Sequence, residues 1–145
     1  MIRSIIRGPD PRLNMVSAQW DPSQMHVAQD LVDTWRDIQG SKPYGLAAPQ
    51  IGHLFRVIIV RNTLMVNPVI LEASFVKFDT ELEGCLSFPW LKVKIKRPWS
   101  GTVSYFGEGM EQHTVDLSGI DFRVFQHELD HCNGITIENH RRRNA

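Results

Sequence analysis

The chain predicts an α+β fold in which antiparallel β-sheets surround a central helix carrying the motif His-Glu-x-x-His. Three features carry this expectation: a helical repeat near the N-terminus, a run of strands and turns from Leu46 to Leu117, and a well-marked helix over about 119 to 133. With 145 residues and 42% hydrophobic content, one domain spanning 1–145 with one core is expected.

Asp21-Pro22 reads as the N-cap and first position of the first helix. Met25, Ala28, Leu31, Val32, Trp35 and Ile38 then recur at helical spacing until Gly40, so Met25 and Trp35 are read as core. Strands follow at Arg56 to Val60, Leu64 to Leu71, Leu91 to Lys96, Gly101 to Phe106 and Glu111 to Leu117. Arg61-Asn62-Thr63 makes the first hairpin short, and glycines at 107 and 109 punctuate a later one. In the central helix Ser118 is the expected N-cap, with Asp121 three residues on, an approximation to a capping box. Ile120, Val124, Phe125, Leu129 and Cys132 give it an apolar face, and Gly134 stands at the C′ position. His26, His53, His113 and His140 have no motif around them and are expected at the surface.

Residues four apart share a helix face, so the imidazoles of His127 and His131 can converge on one metal ion. Glu128 sits beside that face, placed to work on water without taking a coordination position, as in a metal-assisted hydrolase. Such a centre needs a third protein ligand. The longer peptidase motif His-Glu-x-x-His-x-x-Gly-x-x-His is followed through Gly134 but fails at Ile137. Glu138 and His140 stay open by spacing alone. Cys132 points about 100° away from His131 and reads as core. Cys85, after a glycine between strand-like runs, is either a ligand or a buried apolar cysteine.

Gly45-Leu46-Ala47-Ala48-Pro49-Gln50, Glu83-Gly84-Cys85-Leu86-Ser87 and Gln126-His127-Glu128-Leu129-Asp130-His131, in that order, resemble the three signature motifs of the peptide deformylases. Ile6 to Leu13 resembles that family's N-terminal segment, and Val66-Asn67-Pro68 its central strand. The resemblance implies a metal-dependent hydrolase that removes the formyl group from the N-terminal formyl-Met of nascent polypeptides and releases formate. It implies Cys85, His127 and His131 as metal ligands, with Fe²⁺ as the ion and Zn²⁺, Ni²⁺ or Co²⁺ as replacements in purified protein. Glu128 would shuttle the proton. The Gln50 amide and the Leu86 backbone N–H would meet the developing oxyanion. Gly45 and Gly84 would lie beside the peptide main chain. Tyr44, Leu86, Ile120, Val124 and the His127 ring would line a Met pocket with Arg123 at its rim.

The chain departs from the family pattern at Pro43, where a glycine is usual, and in its short hairpin after Val60. It also ends within eight residues of Ile137, so the long C-terminal helix that docks many bacterial members to the ribosome is expected to be missing, as in phage-encoded members. Only Arg141, Arg142 and Arg143 would remain for a weak ribosome contact, on a tail expected to be solvated. A peptide-binding module that had lost catalysis would not be expected to retain Glu128 and Gln50. Equal numbers of basic and acidic residues, 16 each, argue against nucleic acid as a primary partner. Two cysteines and no leader segment suggest a reducing compartment, the cytosol of a bacterium or of a phage-infected host. No apolar run is long enough to span a membrane.

Overall fold

A computed structural model describes residues 1–144. Its first helix, α1 (Met25–Asp37), follows a single 3-10 turn at Pro22–Gln24. The Asp21 carboxylate caps that turn by accepting from the Ser23 N–H. Strands β1 (Gly45–Ala47), β2 (Val57–Val60), β3 (Thr63–Ala73), β6 (Ser100–Phe106) and β7 (Gln112–Ser118) form one antiparallel sheet in the order β1-β2-β3-β6-β7. Strands β4 (Phe78–Cys85) and β5 (Phe88–Pro98) pair separately. Helix α2 (Gly119–Cys132) carries the His-Glu-x-x-His motif and helix α3 (Ile137–Asn144) ends the described chain.

The layers follow from the two-residue period of β2. Val57 and Ile59 pack with Val27, Ala28, Leu31 and Trp35 of α1, whereas Ile58 and Val60 pack with Phe122, Val124, Phe125 and Cys132 of α2. The sheet is therefore buried on both faces at β2, which is why that strand is an unbroken apolar run. Arg61 and Asn62 form the β2–β3 turn with φ of 48° and 76°, the positive values that a type I′ hairpin requires at both central residues. Asn62 adds a hydrogen bond from the Trp35 indole at 2.9 Å, tying the turn to α1.

Several expectations are corrected. Met25, the first residue of α1, is 49% exposed, and the core positions of that helix begin at Val27 and Ala28. On α2 Ile120 is also 49% exposed and Phe122 takes the core position instead. Ser118 makes no side-chain cap, since Gly119 turns into the helix with φ +60° and gives its N–H to the Trp99 carbonyl. Asp121 instead faces Arg61 at 3.7 Å. His53 and His140 are half-buried partners of Asp30 and Asp130, at 2.9 and 3.0 Å, rather than free surface groups.

The C-terminal segment is likewise helical and docked. Ile137 is 1% exposed in a cluster with Leu13, Phe88, Val93 and Ile95, and the Asn144 side chain donates to the Lys94 carbonyl. Only its outer face is solvated: Arg141 and Arg142 reach back to Glu138. Ile137→Ala is accordingly expected to cost about 2–5 kcal/mol of stability, read as a lower urea midpoint with an unchanged slope. A stability equal to the parent protein would mean that α3 contributes nothing to the core.

A candidate metal centre in an open cleft

The helical spacing of α2 brings His127 and His131 to one side, and the end of β4 brings Cys85 against them. The ligand atoms of the three residues all lie within 4.8 Å of one another. Cys85 Sγ is 3.4 Å from His131 Nε2. Burial opposes ionisation of Cys85, yet the charges and hydrogen bonds of His131 and His127 outweigh it and hold the thiol well below its ordinary value. His127 is drawn well above its own ordinary value: burial works against the charge, but the bonds to Cys85 and Glu83 prevail. One soft sulfur and two ring nitrogens are a donor set suited to a catalytic zinc-type or ferrous centre with one position open to water.

Glu83, to which the sequence reading gave no role, supports this centre. Its Oε1 lies 2.9 Å from His127 Nδ1, which fixes the ring and leaves the other nitrogen for the centre. Arg97 grips the same carboxylate with Nε and Nη2 at 2.6 and 2.9 Å, and Arg123 adds a third donor. Desolvation would raise the Glu83 carboxyl, but Arg97 and His127 hold it well below the usual carboxylate range. Arg123 was expected at the rim of a pocket. It lines the cleft and is largely buried there, with further bonds to the Ile95 carbonyl and to Asp79. One signal for Glu83 lay in the sequence: two residues before Cys85, it shares that residue's side of a strand.

Glu128 is 4% exposed, and its Oε1 has no hydrogen-bond partner among the described residues. Burial above all pushes its carboxyl up to about 7. A Cβ on Gly45 would lie 2.7 Å from Glu128 Oε2 and 2.8 Å from the Ile59 carbonyl, so glycine lets β1 approach the carboxylate. Gln50 is held by its carbonyl, which accepts the Ala47 N–H at 3.0 Å. Its amide is thereby turned to the centre, donating to Ser87 Oγ at 3.2 Å and toward Cys85 Sγ at 3.5 Å.

These groups open into a cleft of about 820 Å³, lined by Tyr44, Gly45, Gln50, Gly84, Cys85, Leu86, Ile120, Arg123, Val124, His127 and Glu128. Each residue expected beside a substrate is therefore on its wall. Ile120 is exposed toward it, which removes ordinary core packing as the reason for that side chain. Pro43 also lies on the wall, beside Lys42, whose φ is +53°. None of the helices of the described residues is long and apolar enough to cross a membrane.

Comparison with known proteins shows the family to which the chain belongs. The peptide deformylase of Agrobacterium fabrum is 35% identical over 151 aligned positions, covering 96% of this chain and 86% of that one. The Thermomicrobium roseum peptide deformylase is 34% identical, covering 92% and 82%. Among solved structures, the peptide deformylase from Thermotoga maritima superposes with a TM-score of 0.85 at 32% identity, covering 96% of this chain and 97% of that one. A class I type b peptide deformylase from Acinetobacter baumannii gives 0.85 at 28% identity, covering 96% and 99%. The family model described as polypeptide deformylase matches residues 2–145, and with a match of that extent the chain belongs to the family of metal-dependent enzymes that remove the N-formyl group from nascent peptides.

Proposed function

We propose that residues 1–145 act as one catalytic domain that hydrolyses the formyl amide of formyl-Met peptides, with Cys85, His127 and His131 holding the metal. A divalent cation there supplies the Lewis acidity that makes water acidic enough to react at neutral pH. The observation that carries the reading is Glu128: a buried carboxyl near 7, without a partner on Oε1, beside a three-donor cluster. Such a group can take a proton from the attacking water and return it to the departing amine. Formate and a peptide with a free N-terminal Met result.

The Gln50 amide is held from its carbonyl end, so its N–H can meet the charge that grows on the formyl oxygen without reorganising. The Leu86 backbone N–H, in the turn after Cys85, is its proposed companion. Strand β1 ends one sheet and β4 belongs to a two-stranded one, so each offers a free edge to the cleft. An extended peptide can lie between them as an added strand beside Gly45 and Gly84. Its first side chain then enters the pocket of Tyr44, Leu86, Ile120, Val124 and the His127 ring, with the Arg123 stem behind.

Fe²⁺ is the proposed working ion, and the affinity order of divalent metals favours its exchange for Co²⁺, Ni²⁺ or Zn²⁺ during purification. The proposed location is the cytosol, bacterial or of a phage-infected host. Ribosome contact through α3 is proposed to be weak and salt-sensitive, because Arg141 and Arg142 are already paired with Glu138, and no specific nucleic acid is proposed as partner.

Formate release tests the function. Protein loaded anaerobically with Fe²⁺ is expected to release formate from formyl-Met-Ala-Ser and none from the acetylated or unblocked peptide. Activity should vanish on chelation and return with metal. Loss in air should be faster for the Fe²⁺ form than for the Ni²⁺ form; equal lifetimes would count against iron. Absence of formate from a metal-replete preparation would end the reading.

A further inference from the structure

Two lysines line the cleft. Lys42 precedes β1, and Lys92 lies on β5 directly across from Gly84 of β4. The Lys92 side chain is folded back over that glycine: a Cβ built on Gly84 would meet its Nζ at 2.5 Å and its Cδ and Cε at 3.2 Å. The ammonium thus lies on the cleft wall against Gly84. Both lysines are exposed, and neither takes part in an ion pair among the described residues.

The carboxylates of the cleft do not offset them. Glu83 and Asp79 are engaged by Arg97 and Arg123, and Glu128 is buried against Gly45. Glu81 is free of ion pairs among the described residues, but it is three residues before Gly84, roughly 10 Å along an extended strand. The wall nearest the reacting end is therefore positive while the floor is neutralised.

A peptide added as a strand turns successive side chains to opposite faces. If the first enters the pocket, the second faces the mouth, toward Lys42 and Lys92. We infer that this chain favours formyl-Met peptides with an acidic residue directly after the methionine, and that Lys92 and Lys42 determine this preference. The inference rests on the function proposed above.

Specificity constants for formyl-Met-Asp-Ser, formyl-Met-Ala-Ser and formyl-Met-Lys-Ser, all amidated at the C-terminus to remove that carboxylate, test it. At low salt the order Asp, Ala, Lys is expected, with the outer two separated on the order of tenfold. The separation should shrink as salt is added. Lys92→Met, which retains the apolar stem, should narrow it, and the double variant Lys42→Glu, Lys92→Glu should invert it. Lys94→Glu reverses one charge two residues along β5, outside the cleft lining, and should leave the order as it was. Equal constants for the three peptides, with ordinary formate release from the Ala peptide, would overturn the inference while leaving the deformylase reading intact. So would a preference that survives the double variant. Failure to release formate from any of the three would instead overturn the function itself, and the preference with it.

Discussion

Glu128→Gln should lower kcat by a factor on the order of 10² or more while the metal content stays at that of the parent protein. The substitution is nearly isosteric, so the close approach of Gly45 and the packing of α2 are retained. What is lost is a group that can pick up and release a proton near pH 7. An amide cannot do so in either step, and no other carboxylate is available, since Glu83 is committed to Arg97, Arg123 and His127. Metal analysis and formate release on the same preparation separate the roles. A variant that lost its metal along with its activity would move Glu128 into the coordination shell and end its assignment as proton carrier.

Glu83→Gln is expected to be the most damaging change to the scaffold, costing about 3–5 kcal/mol at neutral pH. Arg97 and Arg123 would retain their buried charges without a full countercharge, and His127 would lose the acceptor that orients it. Metal affinity should fall about 10- to 100-fold as a consequence. The pH dependence has a definite sign. Because the folded-state value of Glu83 is depressed, its contribution is complete above its ordinary value of 4.5 and is lost as pH falls from there toward the depressed one. The variant should therefore lose stability at neutral pH and show a shallower further loss on acidification. Urea midpoints measured at neutral and acidic pH read this directly; an unchanged midpoint at neutral pH would show that the network is not structural.

The parts legible in the sequence are those set by a short period. The four-residue step placed His127 with His131, and the unbroken run Val57 to Val60 marked the buried strand. Cys85 was different: its own surroundings left it undecided, and only its company with the motifs around Gly45 and His127 made it a ligand. Strand β4 escaped notice because its buried position nearest the site is the charged Glu83, which breaks the apolar alternation a strand usually shows. The buried ion pair of Arg123 and the anchoring of His140 went unseen for a related reason. Their partners, Glu83 and Asp130, lie 40 and 10 residues away, and a local pattern carries no trace of them. Helix α3 was missed because one apolar residue, Ile137, anchors an otherwise polar segment.

The type I′ turn at Arg61 and Asn62 has a consequence for how this chain can diverge. Gly45 pairs across from Val60, the last residue before the turn, and the Arg61 N–H donates to the Tyr44 carbonyl at 2.9 Å. The turn therefore sets where one wall of the cleft ends. Surface turns ordinarily absorb insertions and deletions with little effect. Here a change of length that shifted the register by one residue would exchange the β2 side chains facing α1 with those facing α2, and carry the Tyr44–Gly45 wall with it. The hairpin is shorter here than the family pattern, so the lengths tolerated at this turn should be those that keep the Val60–Thr63 pairing and its register, although the turn itself touches no substrate.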